Sequence, residues 1–381
     1  MKIFFMVPLV THYRETFFQK LISMHPEHEW LIIDGEKKVD DGRPNYNKKF
    51  DFPHKRFVET IKKVGPFSLR NYPGLLEFIK IEKPEMILLP GIVGTKAYRD
   101  LAHLARNKTF KLVMWSCLWE HPDVKSSWLN GFKKNISKKY FNSASYQITY
   151  SSYAKKRLIE YGFPEEKVAI AFNGIELDGL EALRMDQLKF SELKRKLNIE
   201  EGKNIFLCVG GLGADKNVLL LLKAILLLKK QNLTQSFILL IIGDGPEAKR
   251  LNDFVFENTL YDEVKFLGRI VDGIDDYFQC SDCLILPGAG GLSLNQAMYW
   301  EKPCIVSHAD GTEDDLIIDD VTGFRFDNDN VISLSEAILR FLNSSLDDLK
   351  LMGEKGNALI RSQSNVDQMV KTFGKVITFI R

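Results

Sequence analysis

The sequence has little cysteine and no long apolar run. Its 381 residues include only five cysteines, which are odd in number and lie mostly inside apolar runs. This argues against a disulfide-stapled fold and predicts reduced core residues in a cytosolic protein. They are Cys117, Cys208, Cys280, Cys283 and Cys304. The longest apolar candidate, Leu219–Leu228, is interrupted by Lys223 and falls short of the roughly 18–20 residues of a membrane span. The first apolar run ends before His12 and Arg14, too early for a signal peptide.

Nothing in the composition indicates disorder or a fibrous repeat. Apolar residues make up 45% of the chain and charged residues 27%, a balance typical of a globular protein. No repeat of fixed period and no low-complexity segment is present. A chain of this length is too long for one ordinary domain and predicts two of middling size.

Acidic residues are absent from one long stretch of the first half. The whole chain carries a net charge of +2, but residues 1–180 hold 29 Lys and Arg against 20 Asp and Glu, leaving the second half acidic. Between Asp123 and Glu160 there are eight cations and several aromatic residues. The cations are Lys125, Lys133, Lys134, Lys138, Lys139, Lys155, Lys156 and Arg157. This basic stretch predicts contact with the anionic inner face of a membrane rather than with nucleic acid. A solvated helix face is the alternative.

Short apolar runs alternate with longer amphipathic segments along the chain. The runs are unbroken, which predicts strands buried on both faces of parallel sheets. Those of the first half are Lys2–Val7, Trp30–Ile33, Met86–Leu89, Lys111–Trp115, Gln147–Tyr150 and Val168–Ala171. Those of the second half are Ile205–Val209, Phe237–Ile242, Val264–Leu267, Cys283–Leu286 and Cys304–Ser307. We therefore expect an α/β protein with two doubly wound, Rossmann-like domains facing a cleft.

A polar segment from Asn173 to Asn204 separates the two series. We place the domain boundary at its start, because the Asn173–Gly174 pair favours a turn with positive φ. The first domain is then residues 1–175 and the second residues 176–364. The amphipathic tail, residues 365–381, is expected to form one more helix.

The first glycine-rich motif, Val209–Lys216, lies between an expected strand and an expected helix. It reads VGGLGADK, with glycines at 210, 211 and 213. Glycines let the backbone approach a ligand closely, and the free amides of a helix start favour an anion such as phosphate. Lys216 adds a positive charge there. The motif is neither a P-loop nor a complete dinucleotide fingerprint, and a tight turn without a ligand is the alternative.

Two further motifs follow other expected strands. Leu286–Met298 reads LPGAGGLSLNQAM and predicts a second backbone anion site, or else a helix packed closely on the sheet. Gln296 in this motif can both donate and accept hydrogen bonds and so could bind ribose hydroxyls. Ile242–Pro246 reads IGDGP, and its role is expected to be mainly structural.

The order and spacing of these motifs resemble the C-terminal domain of retaining, GT-B-fold glycosyltransferases of family 4. The resemblance extends over nearly the whole chain through short segments. They are Phe266–Arg269, Glu301–Val306, Asp319–Phe324, Tyr150–Leu158 and Ala171–Ile175. It implies that the second domain binds a nucleoside-diphosphate sugar, that the first binds an acceptor, and that the last helix returns to the first domain.

The resemblance also implies roles for individual residues. Lys216 matches the lysine on the donor diphosphate, the Gly291–Ser293 backbone matches the loop on the distal phosphate and sugar, and Gln296 matches a glutamate on the ribose. Arg269 and Ile270 lie where the backbone holds the base. The implied donor-binding set is Gly210, Gly211, Gly213, Lys216, Arg269, Ile270, Gly290, Gly291, Leu292, Ser293 and Gln296.

This chain departs from the family pattern at the donor site. Gly211 stands where the family has an arginine, which removes one cation from the diphosphate. Gly288 stands where the family has the first glutamate of its E-x7-E pair, which normally touches the sugar ring. Gln296 cannot act as a base, yet it can still hydrogen-bond a ribose.

In the first domain, many relatives carry a histidine where this chain has Ser116 or Cys117. His121 lies a few residues on and is the candidate for contact with the transferred sugar, with a surface or capping histidine as the alternative. His12, Tyr13 and Arg14 follow the first expected strand, and we expect them to bind the acceptor or a donor phosphate.

The resemblance implies a retaining hexosyltransferase without a cofactor, with Lys216 and His121 as its catalytic residues, and we expect it to be metal-independent. There is no obvious metal-binding D-x-D motif, and one Cys280–Cys283 pair is too little for zinc. The expected donor is a UDP-sugar. The expected acceptor is a lipid-linked oligosaccharide of surface polysaccharide or O-antigen biosynthesis, reached from the cytoplasm at the membrane. The alternatives are a catalytically weak nucleotide-sugar-binding protein and a sugar-nucleotide epimerase of the same shape.

Overall fold

The computed structural model describes residues 1–36, 49–64, 67–107, 109–118, 128–233 and 237–380. The chain divides into two compact units. The first is Met1–Glu176 together with Val366–Arg381, and the second is Leu177–Asn365. Over the residues described, no helix is both long and apolar enough to cross a membrane.

The first unit is built on a seven-stranded parallel sheet. Its strands are β1 (Lys2–Met6), β2 (Glu29–Glu36), β3 (His54–Val58), β6 (Met86–Pro90), β7 (Lys111–Ser116), β8 (Tyr146–Thr149) and β9 (Val168–Ile170). They are ordered β3-β2-β1-β6-β7-β8-β9. A separate antiparallel hairpin consists of β4 (Thr60–Val64) and β5 (Phe67–Asn71).

Both faces of this sheet are buried, as the unbroken apolar runs predict. In β1, Ile3 and Phe5 contribute to one apolar cluster, whereas Phe4 and Met6 contribute to another. Successive side chains of a strand point to opposite faces, so a run such as IFFM supplies two cores at once.

Six helices cover the first sheet. They are α1 (His12–Met24), α2 (Leu75–Glu82), α3 (Lys96–Ala105), α4 (Trp128–Phe141), α5 (Ser152–Glu160) and α14 (Val366–Ile380). The last helix belongs to the first unit, although the second unit precedes it in the chain. The Val366 amide donates to the Ile175 carbonyl at 3.0 Å, and the Phe373 ring stacks on Phe5 at 5.6 Å. The apolar stripe of α14 therefore completes the core of the first unit.

The second unit contains a six-stranded parallel sheet. Its strands are β10 (Asn204–Val209), β11 (Phe237–Ile242), β12 (Val264–Gly268), β13 (Cys283–Leu286), β14 (Cys304–Val306) and β15 (Phe324–Arg325). They are ordered β12-β11-β10-β13-β14-β15. The helices are α6 (Gln187–Lys196), α7 (Val218–Lys230), α8 (Ala248–Glu257), α9 (Ile274–Cys280), α10 (Leu292–Tyr299), α11 (Thr312–Leu316), α12 (Val331–Asn343) and α13 (Leu346–Ser362).

All eleven expected strands are present, with ends that differ by at most three residues, but four strands were not predicted. β3, β4 and β5 are rich in charged and polar residues, and β15 is only two residues long, so none of them forms an apolar run. β3 lies at the edge of its sheet, where one strand side lacks a neighbour and polar residues are tolerated. The expectation that the cysteines are core residues is correct for four of them and wrong for Cys117, which is exposed.

Candidate functional site

In the second sheet, the strands that follow β10 in the chain are first added on one side of it (β11, β12) and then on the other (β13 to β15). β10 pairs with β11 on one side and with β13 on the other. In open parallel sheets such a switch point opens a crevice at the carboxyl ends of the two strands, where ligands bind. The Val209–Lys216 motif follows β10 and the Leu286–Met298 motif follows β13, so the fold brings these two motifs together.

The loop after β10 has an unusual backbone. Gly210 has a φ of +153° and Asn217 a left-handed φ of +50°, and a 3₁₀ turn spans Ala214–Lys216 between them. Gly211 is exposed, and an ideal Cβ built on it would meet nothing nearer than the Asp244 carbonyl oxygen at 3.9 Å. Gly210 is therefore required by its positive φ, whereas the space beside Gly211 could hold a larger side chain.

The Ile242–Pro246 motif packs against this loop and supports it. The Leu212 amide donates to the Asp244 carbonyl at 2.9 Å. A Cβ on Gly243 would lie 1.8 Å from the Gly210 oxygen, and one on Gly245 would lie 2.6 Å from the Leu212 oxygen. The glycines of this motif thus allow two backbones to touch, which agrees with the expected structural role.

The loop after β13 packs directly against the loop after β10. The Ala289 amide donates to the Asp215 carbonyl at 3.1 Å, and a Cβ on Gly288 would lie 2.4 Å from that same oxygen. Lys216 completes the contact, since its Nζ donates to the Ala289 carbonyl. Gly288, which stands where the resemblance places a glutamate, is thus required by close packing in this arrangement.

Helix α10 begins at the end of this loop. Its N-cap, Gly291, has a φ of +62°, and the Ser293 hydroxyl donates to the Gly290 carbonyl at 2.7 Å. Among the described residues, no acceptor is recorded for the amides of Gly290, Gly291 and Leu292. Three free amides beside a lysine ammonium make this end of the sheet suited to an anion.

The residues expected to bind the nucleoside lie at the same edge of the sheet. Arg269 and Ile270 follow β12, with Arg269 exposed and Ile270 half-buried. Gln296 lies in α10 and donates from Nε2 to Oδ1 of Asp275, which also accepts from Trp300 Nε1 at 2.7 Å. Asp275 therefore fixes the amide of Gln296 and leaves its Oε1 as the acceptor, a relation that sequence spacing did not indicate.

In the first unit, α1 carries the other predicted binding residues. His12 and Tyr13 are exposed in its first turn, whereas Arg14 is only 9% exposed. The Arg14 guanidinium donates to Oδ1 of Asn173 at 2.6 Å and lies 4.8 Å from the Trp115 ring centroid. Within the described part of the chain, no carboxylate lies within ion-pair distance of Arg14. Arg14 is thus a buried cation with neutral partners.

The loop before α1 is held by a buried ion pair. Asp34 accepts from Arg56 at 2.8 Å, from the His54 ring at 2.9 Å and from the Val10 amide at 3.2 Å. Burial acts to raise the pKa of Asp34, but the hydrogen bonds from His54 and Arg56 outweigh it and hold this pKa below its ordinary value. The network fixes the position from which His12, Tyr13 and Arg14 project.

Two other candidates in the first unit have different outcomes. Ser116 is buried at the end of β7, and a Cβ on Gly91 would lie 2.0 Å from its Oγ. His121 lies outside the described residues, so its role stays a prediction.

The basic stretch is partly neutralised by nearby acids. Lys155 pairs with Glu165 at 3.0 Å and Arg157 with Glu160 at 2.9 Å. Lys138, Lys139 and Lys156 are exposed. The side chains of the other three cations of the stretch are outside the described part.

Acidic groups of the second unit have structural partners, and its paired cysteines are buried. Asp314 accepts from Arg325 at 2.6 Å and His308 at 2.8 Å, and Asp319 and Asp320 both pair with Arg340. Cys280 and Cys283 are buried, and burial raises the pKa of both thiols. Glu313, which was not singled out from sequence, is only 5% exposed.

Comparison with known families finds a match within the second unit. Residues 189–358 match the family described as Glycosyl transferases group 1. That range lies inside the second unit and contains both glycine loops. This region of the second unit is similar to that family. The match does not extend to the retaining mechanism or to family 4 in particular.

Two curated proteins are related in sequence. The chain is 27% identical over 252 residues to the uncharacterized glycosyltransferase MJ1069 of Methanocaldococcus jannaschii, a match that covers 64% of this chain and 61% of that protein. It is 26% identical over 202 residues to the alpha-monoglucosyldiacylglycerol synthase of Streptococcus pneumoniae, covering 52% of this chain and 44% of that protein. The matched regions thus span less than two thirds of either relative.

Solved structures share the whole architecture. Alr3699/HepE of Anabaena in complex with UDP superimposes with a TM-score of 0.76 at 16% identity, and the match covers all of both chains. WaaG, a glycosyltransferase involved in lipopolysaccharide biosynthesis, gives a TM-score of 0.68 at 13% identity over 98% of this chain and 99% of that one. These likenesses confirm the predicted fold of two parallel-sheet, Rossmann-like domains of GT-B type.

Proposed function

We propose that the protein is a retaining glycosyltransferase that transfers a sugar from a nucleoside diphosphate, with UDP favoured, to an acceptor. The proposal depends on one observation: two glycine loops meet at the switch point of the second sheet, with Lys216 between them. A diphosphate lying there would receive the free amides at the start of α10 and the charge of Lys216. The group 1 family match and the UDP bound in Alr3699/HepE support this choice of donor.

In the proposed reaction, the bond between the sugar carbon and the diphosphate oxygen breaks, and a bond to the acceptor hydroxyl oxygen forms on the same face. The departing diphosphate takes up negative charge and can accept the hydroxyl proton. Lys216 and the α10 amides stabilise that charge, while binding holds the acceptor at attack distance. His121 is proposed to contact the transferred sugar. No metal ion or cofactor is required in this scheme.

The acceptor is proposed to bind the first unit through His12, Tyr13 and Arg14. A buried guanidinium with neutral partners gains most from an anionic ligand, because its charge is already desolvated. A lipid-linked oligosaccharide carrying phosphate meets that requirement. The name of the Streptococcus pneumoniae relative, alpha-monoglucosyldiacylglycerol synthase, supports a lipid acceptor. The proposed place of action is the cytoplasmic face of the membrane, in surface polysaccharide synthesis.

The donor is tested by a melting-temperature screen with UDP-, GDP- and dTDP-sugars, because a ligand that binds the native state raises the melting temperature. The stabilising donor is then incubated with lipid-linked glycans, and release of nucleoside diphosphate is measured. Stabilisation by a nucleotide sugar together with acceptor-dependent release supports the proposal. A protein that no nucleotide stabilises contradicts it, and sugar isomers formed without an acceptor identify an epimerase.

A second candidate is a nucleotide-sugar-binding protein without catalysis. Gly211, Gly288 and Gln296 favour it, because they remove a cation and two carboxylates that the family pattern has at the donor site. Binding without release of nucleoside diphosphate, over a panel of acceptors, would select this candidate.

Membrane contact through the basic stretch is tested by sedimentation with vesicles. We expect binding to vesicles containing anionic lipid, weaker binding at high salt, and loss of binding when Lys138, Lys139 and Lys156 are all changed to alanine. The control removes three exposed lysines of the second unit, Lys189, Lys196 and Lys230. Equal sedimentation of both triple variants would contradict the assignment.

A further inference from the structure

A small pocket lies beside the glycine loop, at the carboxyl ends of β13 and β14. Gly288, Gly290 and Gly291 form one wall, and the segment after β14 forms the other through Asp310, Thr312 and Glu313. The two loops are tied together where the Ser307 hydroxyl donates to the Pro287 carbonyl at 3.3 Å. The pocket is therefore next to the loops to which we assign the diphosphate.

The pocket holds only one small group. Its cavity volume is about 10 Å³, which is about the space that one water molecule needs. A hydroxyl group fits this volume, whereas a sugar ring or an acetamido group does not. A ligand must therefore insert a single substituent and keep its body outside.

Among the described residues that line this pocket, the ionisable side chains are the carboxyl groups of Asp310 and Glu313. Oε1 of Glu313 accepts from the Asp310 amide, and Oδ1 of Asp310 accepts from the Thr312 amide, both at 3.0 Å. Backbone amides thus hold one oxygen of each carboxyl group and fix both side chains. Glu313 is nine-tenths buried and faces the cavity.

The charge of this pair matters because a diphosphate is expected close by. Burial raises the pKa of Glu313 to about 8, and the neighbouring charge of Asp310 adds to the shift. At neutral pH Glu313 is therefore mostly protonated and can donate a hydrogen bond, while Asp310 can accept one. A donor beside an acceptor matches a hydroxyl, which needs both, and a second ionised carboxyl would repel the diphosphate.

We propose that this pocket receives the C6 hydroxyl group of the donor sugar, and that Asp310 and Glu313 together select a neutral hexose against the corresponding uronic acid, which carries a carboxylate at C6. The inference rests on the proposed function, because the sugar reaches the pocket only when the diphosphate lies on the two glycine loops. A carboxylate inserted in place of the hydroxyl would meet the like charge of Asp310 and would exceed the space.

Calorimetric titration tests this inference, because it compares the affinity for UDP alone with the affinity for UDP-sugars. UDP, UDP-glucose, UDP-galactose, UDP-N-acetylglucosamine and UDP-glucuronate are titrated into the wild-type protein and into Asp310→Asn and Glu313→Gln at pH 7. Glutamine is isosteric with the protonated glutamic acid, and asparagine retains the acceptor for the Thr312 amide, so both variants are expected to fold. Asp314→Asn is the control, because Asp314 is next in the chain but does not line the pocket.

We expect every variant to bind UDP within twofold of wild type. Asp310→Asn, which replaces the free acceptor oxygen by a donor, should lose about tenfold of the affinity for the preferred UDP-hexose and should narrow the wild-type preference over UDP-glucuronate. Glu313→Gln, which keeps a hydrogen-bond donor in the same place, should bind the UDP-hexose close to wild type. Asp314→Asn should retain both properties. Loss of UDP and UDP-hexose affinity in parallel, or unchanged hexose affinity in Asp310→Asn, would overturn the inference while leaving the proposed function intact. A wild-type protein that binds neither UDP nor the GDP and dTDP counterparts would overturn both.

Discussion

Replacing Lys216 by methionine tests the central electrostatic contact of the proposed donor site. The side chain passes over Gly210, where an added Cβ would lie 3.5 Å from Cε of Lys216, and its ammonium donates to the Ala289 carbonyl. Methionine retains the length and apolar contacts of the stem and removes the charge. The comparison therefore isolates the ammonium group.

A hydrogen bond to a charged group contributes about 1.5–3 kcal/mol. Because about 1.4 kcal/mol corresponds to a factor of ten, Lys216→Met should bind UDP roughly 10- to 150-fold more weakly than wild type. The cost to folding should be smaller, about 0.5–1.5 kcal/mol, because Lys216 is half-buried and its partner carbonyl is neutral.

The assay is calorimetric titration of UDP at a temperature well below the melting point of the variant, so that stability does not limit binding. The matched control is Lys223→Met, on an exposed position of α7, which should bind UDP as wild type does. Lysine replaced by arginine at 216 should recover part of the affinity. If Lys216→Met binds UDP as tightly as wild type and Lys223→Met, the diphosphate lies elsewhere and the reasoning is refuted.

Three further predictions concern the same unit. Gly211→Arg should fold normally, because the nearest atom to an added Cβ is 3.9 Å away, and the restored cation should tighten UDP binding by about tenfold; unchanged binding would mean that the diphosphate does not pass this position. Gly288→Ala should lower the melting temperature, because its Cβ would lie 2.4 Å from the Asp215 oxygen; an unchanged melting curve would mean that the two loops are not in contact. Burial raises the pKa of Glu313 from 4.5 to about 8, so between these pH values the native state holds a proton that the unfolded chain releases. The free energy of unfolding should therefore fall as the pH rises through this range, by on the order of a few kcal/mol. Urea denaturation from pH 5 to 8 should show this decline relative to Glu313→Gln, and parallel profiles would contradict it.

The sequence by itself determined the elements of the fold. Unbroken runs such as Phe237–Ile242, six buried residues in β11, can only satisfy both faces inside a covered parallel sheet. The glycine motifs were also readable, because a strand followed by glycines and a helix start is a local pattern with a local consequence. The charged edge strand β3 was not predicted, because its stability comes from pairing with β2 and not from its own apolar content.

Only the tertiary structure decided which of these motifs meet. Strand order places the loops after β10 and β13 side by side, although about 75 residues separate them, and makes the IGDGP segment a support for the first loop. The structure also brought Asp275 to Gln296, left Arg14 buried among neutral partners, and placed Asp310 and Glu313 on a pocket beside the glycine loop. Such contacts join residues distant in sequence or depend on burial, and burial sets both the space at Gly288 and the pKa of Glu313.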